Sequence, residues 1–319
     1  VKSRGLGDVY KRQLKKSAKY FFLLRRIIIM FSGVLVVDKP YNVSSGEHIR
    51  KLKKIIGKQK IGHAGTLDPL ATGILIVCLG QMTRYTDYLA SASKSYEAEI
   101  LFGNQTTTGD IEGDIIQSSP FIPEKEKIFK VLDDFIGEID QTPPRYSSIK
   151  YKGKSLYQYA RKGIEIEIPS RKVIINSIEF ISFEERTLKL NINCGKGTYI
   201  RVLAEDISKK LGTVGTLANL RRVESANFKI DKAIDLDLIN SKNLNKKIIP
   251  PGDALNCLDE IQCAPEIINR ITKGQKVEMK LTSKNKFLRL FDNKKNFLGI
   301  IENCEGFIKP KRLLTIDYN

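Results

Sequence analysis

Asp68 is the residue whose neighbours in the sequence best suit a catalytic side chain. It lies in a twelve-residue block with three glycines, Gly62-His63-Ala64-Gly65-Thr66-Leu67-Asp68-Pro69-Leu70-Ala71-Thr72-Gly73. Glycines permit positive φ and close approach of another backbone, and Pro69 disfavours helical geometry at Asp68. A carboxylate fixed on such a loop could act as a nucleophile or a general base. The alternative is an Asp-Pro turn that leads into a strand, and composition by itself favours that alternative.

Three further side chains are weaker candidates for a functional site. His63 is one of only two histidines, and a lone histidine is more often a structural hydrogen-bonding group than a catalyst. Tyr96 alternates with charged residues, which suits an amphipathic strand as well as an active site. Arg201 follows the turn Cys194-Gly195-Lys196-Gly197, where a helix N-terminus could receive phosphate. The alternative for Arg201 is a surface ion pair.

The amino-acid composition limits the classes of function that this protein could have. The chain has 319 residues, 54 Lys and Arg against 36 Asp and Glu, a net charge of +18, two histidines and five cysteines. The excess of positive charge favours a polyanionic partner, either nucleic acid or an anionic membrane surface. Five scattered cysteines argue against a disulfide framework and a four-ligand zinc site, and they are typical of a reducing compartment. Two histidines nearly exclude a histidine-rich metal centre.

Residues 1–29 differ from the rest of the chain. They carry nine basic residues and one acidic residue, and the first methionine is Met30. Their apolar run is interrupted by Arg25-Arg26 and is too short to span a membrane. We interpret the segment as a non-native or disordered leader, with an organellar transit peptide as the alternative. A membrane-surface function would rest on this segment alone.

Hydrophobic periodicity predicts the elements that must position the candidate residues. Strands are predicted at 33–37, 74–79, 95–102, 172–183 and 187–194, and helices at 45–56, 124–136 and 198–211. They interleave without a regular βαβ repeat, which predicts a mixed sheet. Pro250-Pro251-Gly252 is the predicted linker. The segment after it is predicted to form a small all-β module, with strands at 286–291, 297–302 and 312–318.

Two segments hold most of the positive charge outside the leader. Segment 44–62 has six basic residues and one acidic residue, while segment 141–172 has eight basic residues, two acidic residues and four of the twelve tyrosines. Alternating basic and aromatic side chains suit phosphate contact and base stacking. The two segments flank the Asp68 loop in the sequence.

Several motifs together resemble the bacterial TruB family of tRNA pseudouridine synthases, over residues 30–319. The matching stretches are GVLVVDKP at 33–40, GHAGTLDPLATGILIVCLG at 62–80, SKSYEAEILFG at 93–103, PRYSSIKYKGKSLYQYAR at 144–161, CGKGTYIRVLAEDI at 194–207 and LRR at 220–222. The resemblance implies an α/β (α+β) pseudouridine-synthase fold, in which helices flank a central mixed, largely antiparallel sheet. It also implies a small all-β PUA-like C-terminal barrel.

The resemblance implies an isomerase that converts uridine 55 in the T-loop of tRNA to pseudouridine, with no cofactor and no metal. Asp68 corresponds to the catalytic aspartate, which would attack the uracil ring or C1′ of the sugar, or deprotonate the sugar. Tyr96 corresponds to the tyrosine that stacks on the flipped base and helps proton transfer. Arg201 corresponds to the arginine that pairs with the aspartate, and this pairing would keep Asp68 ionised.

Contacts with the RNA are implied in the same way. His63 corresponds to a residue that fills the space left by extruded nucleotides, Lys39 belongs to the first motif around the active site, and Tyr199 and Leu220 match pocket-lining positions. Segment 141–161 matches a basic thumb-like insertion that closes over the T-loop. The remaining predicted substrate-binding residues are Asp110, Arg145, Lys150, Lys152 and Lys154.

The sequence departs from the family pattern at two places. Asn42 stands where the family has glycine, and the turn can survive because asparagine tolerates positive φ. Thr106-Thr107-Thr108 replaces the usual Thr-Asp-Thr, so one acid is lost while Asp110 remains at the second acidic position. This loss puts any role of the first acid in doubt, but not the chemistry.

The predicted organisation is a catalytic domain at 30–250 and a PUA-like RNA-binding domain at 251–319. The predicted partner is the T-arm of tRNA, bound by a monomer in the cytoplasm without a membrane. Two alternatives remain open. One is an RNA-guided homologue that modifies other RNAs, and the other is a tRNA-binding chaperone in which catalysis is dispensable.

Overall fold

The computed structural model describes residues 32–240 and 242–315. The predicted leader at 1–29 lies outside the described residues. The strands are β1 Gly33–Lys39, β2 Ile61–Ala64, β3 Thr72–Leu79, β4 Lys94–Phe102, β5 Asn104–Thr106, β6 Ile115–Ser118, β7 Gly137–Gln141, β8 Lys150–Tyr151, β9 Lys154–Ser155, β10 Arg171–Glu184, β11 Thr187–Cys194, β12 Gly215–Ser225, β13 Phe228–Lys229, β14 Ile234–Asp235, β15 Glu260–Gln262, β16 Val277–Glu278, β17 Phe287–Phe291, β18 Phe297–Cys304 and β19 Phe307–Leu313. The α-helices are α1 Ser45–Ile56, α2 Thr86–Ser91, α3 Lys125–Asp133, α4 Leu156–Ala160, α5 Ile200–Lys210, α6 Leu244–Lys247, α7 Pro251–Ala254 and α8 Pro265–Thr272.

The larger sheet has ten strands and is mixed, as predicted. Eight strands follow the order β14-β1-β3-β12-β4-β11-β10-β7, while β13 pairs with β12 and β2 pairs with β3. Only the β1–β14 and β3–β12 pairs are parallel in this sheet, so it is largely antiparallel. The prediction of an α+β architecture with a central mixed sheet is confirmed.

Apolar faces of the helices cover this sheet. Helix α1 buries Ile49 and Leu52 against β1 and β3, which is the face that its periodicity predicts. A capping box between Ser44 and Glu47 fixes its first turn. Helices α3 and α5 bury their apolar residues against β4, β11 and β12, so the central strands are held between packed elements.

The predicted helix at 124–136 ends three residues earlier in the structure, at Asp133. The following amides of Asp134, Phe135 and Ile136 donate to carbonyls three residues back, which forms tight turns. Gly137 then takes φ +106 at the start of β7. The apolar spacing continues through these residues because Phe135 packs against the core, although the backbone has left the helix.

The smaller sheet has the order β15-β17-β18-β19-β16. Its last long strand was predicted at 312–318, but β19 begins at Phe307. Glu305-Gly306 makes a two-residue connection between Cys304 and Phe307, which pair across the strands, and Gly306 has φ +87. Antiparallel pairing therefore starts directly after the turn. Residues 316–319 lie outside the described residues.

The predicted linker at 250–252 is packed rather than extended. It opens the short helix α7, in which Gly252 and Ala254 are buried. A Cβ at Gly252 would lie 3.0 Å from atoms of both Phe291 and Phe297. One hydrophobic cluster joins residues of β1 and β3 to Ile300 of β18, so the two sheets share a core across the predicted boundary.

Candidate active site

The Asp68 loop is clamped by the turn that follows β1. Pro69 O accepts hydrogen bonds from Lys39 Nζ at 3.2 Å and from the amide of Asn42 at 3.0 Å. Lys39 is fully buried. Asn42 adopts φ +59, which confirms the prediction that asparagine supports a positive-φ turn at this position. The turn therefore fixes the backbone immediately after Asp68.

The residues beside Asp68 anchor the loop from the other side. Ser45 Oγ donates to Leu67 O and accepts from the Leu67 amide, both at 2.9 Å. Leu67 and Leu70 are buried in the core shared with α5. The Asp68 side chain keeps 39% of its surface exposed. The carboxylate is thus held rigidly by its neighbours while it faces the open cleft.

Arg201, on the first turn of α5, joins two carboxylates. Its Nε lies 3.0 Å from Asp68 Oδ2, and its Nη1 lies 3.6 Å from Asp110 Oδ2. The contact with Asp68 is an ion pair rather than an aligned hydrogen bond. The guanidinium is buried and donates to Thr108 O at 2.7 Å and Tyr146 O at 2.9 Å. These bonds hold Arg201 in place beside Asp68.

Two opposing effects act on the Asp68 carboxyl. Burial raises its pKa above the ordinary value, and the charge of Asp110 acts in the same direction, while Arg201 lowers it. The net direction is upward. The pairing predicted for Arg201 therefore favours the ionised carboxylate without fully offsetting its loss of solvation.

Asp110 is the second acid at the site, and its side chain is 6% exposed. Thr108 Oγ1 donates to its Oδ1 at 2.6 Å, and the Glu112 amide donates to the same oxygen at 3.2 Å. Asp110 consequently lies behind Arg201 rather than in the open cleft. Thr108, within the Thr-Thr-Thr departure, orients this remaining acid.

Two neighbouring strands form the floor of the cleft. Tyr96 of β4 is directly opposite Arg222 of β12, and Ala98 is opposite Leu220. Because side chains alternate along a strand, Tyr96 and the residue two before it, Lys94, share one face. Burial raises the pKa of the Tyr96 phenol, and the charge of Arg222 lowers it. The net shift is upward, so Tyr96 stays a neutral donor at neutral pH.

Tyr199 is fixed at the start of α5. Gln141 Oε1 accepts from the Tyr199 amide at 2.7 Å, and Gln141 Nε2 donates to Tyr199 O at 3.1 Å. The guanidinium of Arg171 lies 5.2 Å from the centre of the Tyr199 ring, a cation–π distance. This pair of contacts orients a wall of the cleft.

The predicted insertion at 141–161 reaches the site through Tyr146, whose carbonyl binds Arg201. Its basic side chains lie on the surface. Lys150, Lys152 and Lys154 belong to the β8–β9 hairpin and are exposed. Arg145 lies 3.2 Å from Glu165 and lines a neighbouring cleft of about 410 Å³. The tyrosines pack against one another, with Tyr146 beside Tyr157 and Tyr151 beside Tyr159.

A cleft of about 440 Å³ brings together five of the twelve predicted site residues, including all three predicted catalytic ones. It is lined by Asp68, Tyr96, Tyr199, Arg201 and Leu220. Lys39 lies against the backbone of the Asp68 loop, where its Nζ contacts Pro69 O. His63 lies in β2, paired with Val77 of β3; burial lowers its pKa. Neither Lys39 nor His63 lines the cleft.

Sequence reasoning missed Lys94, Arg222 and Gln141. Lys94 and Arg222 line the cleft, and Gln141 holds one of its walls. The alternation Lys94-Ser95-Tyr96 was a usable signal for Lys94, because it places the lysine on the face of Tyr96. Arg222 lies in the matched LRR stretch, but its proximity to Tyr96 depends on strand pairing. No local pattern marks Gln141.

Within residues 32–240 and 242–315, no group of three or more His, Cys, Asp or Glu side chains is placed to hold a metal ion. No helix in the same part of the chain is long and apolar enough to cross a membrane.

Comparison with known proteins finds matches along most of the chain. Residues 53–200 match the N-terminal domain of the TruB family of pseudouridylate synthases, and residues 260–314 match the C-terminal domain of pseudouridine synthase II TruB. The chain is 38% identical to the tRNA pseudouridine synthase B of Chromobacterium violaceum, over 89% of this chain and 94% of that protein. It is likewise 38% identical to the tRNA pseudouridine synthase B of Clostridium kluyveri, over 89% of this chain and 99% of that protein.

Solved structures share the fold. The chain resembles one from a Cbf5-Nop10-Gar1 complex with a TM-score of 0.70 and 24% identity, covering 90% of this chain and 86% of the other. It resembles one from an H/ACA RNP bound to a substrate RNA containing 2′-deoxyuridine with a TM-score of 0.68 and 22% identity, covering 92% and 88%.

Proposed function

This chain belongs to the TruB family of pseudouridylate synthases, and we propose that it isomerises uridine 55 in the T-arm of tRNA to pseudouridine. The C1′–N1 bond breaks, the uracil rotates, and a new C1′–C5 bond forms. C5 loses a proton and N1 gains one, so the net reaction is an isomerisation. Relatives that are 38% identical over nearly their whole length are named as tRNA pseudouridine synthases, which supports tRNA as the substrate.

We assign the catalytic role to Asp68. The observation that carries this assignment is the partly exposed Asp68 carboxylate, 3.0 Å from the buried Arg201 guanidinium at the edge of the cleft. Asp68 would attack the ring or C1′, or deprotonate the sugar, and Arg201 would favour its ionised form. Tyr96 would stack on the base and serve as a neutral proton donor. These roles follow the family's motif positions.

The target nucleotide must leave the RNA stack to reach this cleft, because C1′ and both faces of the base are covered in a stacked loop. Unstacking costs about a few kcal/mol. Stacking on Tyr96 and contacts between RNA phosphates and the basic segments 44–62 and 141–172 would offset that cost. His63 would fill the space left by the extruded nucleotides. The exposed lysines of the β8–β9 hairpin suit contact with the T-arm.

Pseudouridine mapping tests the assignment. Wild-type protein is incubated with unmodified tRNA and with a T-arm stem-loop, without any other macromolecule. We expect pseudouridine at position 55, and Asp68→Asn should lower the rate by at least about 10²-fold. The control is Asp134→Asn, an exposed acid paired with Lys210 at 2.7 Å, which should keep the parental rate. An Asp68→Asn protein as active as its parent would refute the role of Asp68.

The same experiment separates the alternatives. Activity on naked tRNA excludes a requirement for a guide RNA. If Asp68→Asn loses product but still accelerates tRNA folding, the protein has a chaperone activity that coexists with catalysis.

We further propose that the protein acts as a cytoplasmic monomer divided into domains at 30–250 and 251–319. Light scattering of the free protein and of its tRNA complex measures the oligomeric state.

A further inference from the structure

Lys94 and Arg222 are buried cations on the floor of the cleft that the proposed reaction does not use. They are 6% and 1% exposed, yet both line the cleft. In the described part of the chain, neither lies within 4.0 Å of a carboxylate. Burying a cation without a counter-ion is costly. This arrangement therefore requires an explanation beyond packing.

The two side chains converge on Gly65, which has φ +91. A Cβ at Gly65 would lie 3.4 Å from Arg222 Nη1 and 3.6 Å from Lys94 Cε. The Arg222 guanidinium and the end of the Lys94 side chain thus border one small space beside the glycine. Gly65 is in the same loop as Asp68, so this space adjoins the catalytic loop.

Backbone carbonyls orient Arg222 and leave donors free. Arg222 Nε donates to Ile74 O at 2.7 Å, and its Nη2 donates to Gly65 O at 3.2 Å. Arg222 also hydrogen-bonds the Tyr96 side chain. The guanidinium has five N–H donors, so donors remain after these three bonds.

Lys94, at the start of β4, is also oriented by backbone carbonyls, in this case those at the C-terminal end of α2. Its Nζ donates to Ala90 O at 2.8 Å and to Ala92 O at 2.6 Å. An ammonium has three donors, so one remains. Burial, followed by the charge of Arg222, lowers the pKa of Lys94 to about 8. The ammonium is therefore mostly charged at neutral pH, and an anion beside it would be stabilised.

We propose that Lys94 and Arg222 form a phosphate subsite that binds an RNA phosphodiester adjoining the uridine in the cleft. This inference rests on the proposed function. A guanidinium and an ammonium beside each other suit a phosphate. The N-terminus of α5 borders the same cleft through Gly197 and Thr198, and its dipole also favours an anion. The subsite would hold the strand while the base lies on Tyr96.

Neutral phosphate analogues test the subsite. A set of T-arm stem-loops carries one methylphosphonate each, at the phosphates around the target uridine, and the dissociation constant is measured for every one. In wild-type protein, one position is expected to weaken binding about 10-fold, as loss of a charged hydrogen bond would do. In Lys94→Met, the same substitution should cause no further loss, because its partner charge is gone.

The control is Lys130→Met, an exposed lysine of α3, in which the methylphosphonate effect should persist in full. Lys94→Arg, which keeps the charge, should also retain it. Lys94→Gln, which removes the charge, replaces Lys94→Met if that variant fails to fold. Equal methylphosphonate losses in wild type and Lys94→Met, or no sensitive phosphate in wild type, would overturn the subsite. Pseudouridine formation by wild type on the unsubstituted stem-loop reports separately on the proposed function.

Discussion

The protonation state of the Asp68 carboxyl depends on individual neighbouring side chains. Asp68 is crowded by protein atoms and lies near a second acid, Asp110, so burial raises its pKa although Arg201 lies 3.0 Å away. An active carboxylate that serves as nucleophile or base must be ionised. The activity should therefore fall as the pH drops through this raised pKa.

Removing the positive charge of Arg201 should shift the pH below which activity falls to a higher value. Arg201 lowers the pKa of Asp68, so Arg201→Gln raises it, and the acidic limb of the kcat/KM profile should shift to higher pH by about one unit. The measurement is the pH dependence of pseudouridine formation under kcat/KM conditions. Arg270→Gln, an exposed arginine of α8, is the control and should keep the parental limb. An unshifted limb in Arg201→Gln would contradict the electrostatic role.

At the scale of elements, the loop that carries Asp68 depends on a turn in another segment. Residues 39–45 bind the backbone on both sides of Asp68, through Pro69 O and through Leu67. Strand β1 fixes where this turn begins, and the capped start of α1 fixes where it ends. The position of the carboxylate therefore depends on the junction of a strand and a helix.

Asn42 gives a test of this junction. Its φ of +59 is strained for a β-branched residue, so Asn42→Val should lower the free energy of unfolding by about 1–3 kcal/mol. Asn42→Gly, which takes positive φ without strain, should leave stability unchanged or slightly higher. Urea unfolding compares the three proteins. If Asn42→Val is as stable as Asn42→Gly, the turn does not need positive φ.

At the scale of the whole molecule, charge is distributed unevenly. Segments 44–62 and 141–172 together hold 14 basic residues and three acidic ones. The cationic side chains of α1 and of the β8–β9 hairpin are exposed, so they are free to contact phosphate. Binding of tRNA should accordingly weaken steeply with salt, because phosphate contacts release counterions.

The salt dependence can be assigned to the hairpin. The triple change Lys150→Gln, Lys152→Gln and Lys154→Gln should reduce the slope of log affinity against log salt by about 2. The matched control changes three lysines of α3, Lys125, Lys127 and Lys130, to glutamine. This control should leave the slope unchanged, since α3 lies outside both basic segments. Equal slopes in the two triple variants would show that the hairpin does not contact phosphate.

Local patterns in the sequence determined much of this protein. The spacing of Ile49 and Leu52 predicted α1 and its buried face, and Asn42 was compatible with its positive-φ turn. The motif around Asp68, together with those of Tyr96 and Arg201, identified the family and the candidate site. Each of these features depends on residues close together in the chain, whose conformation is set by neighbours.

Only the tertiary structure decided how distant residues meet. Arg222 is 126 positions from Tyr96 in the chain and lies opposite it because β12 pairs with β4 in one particular register. The contact of Arg201 with the Tyr146 carbonyl and the clamp of Gln141 on Tyr199 likewise join separate elements. Such contacts follow from strand register and helix packing, which a single local pattern does not encode. The phosphate subsite proposed at Lys94 and Arg222 emerges at this level, because two cations without a carboxylate partner form a site only when the tertiary structure places them on the same cleft.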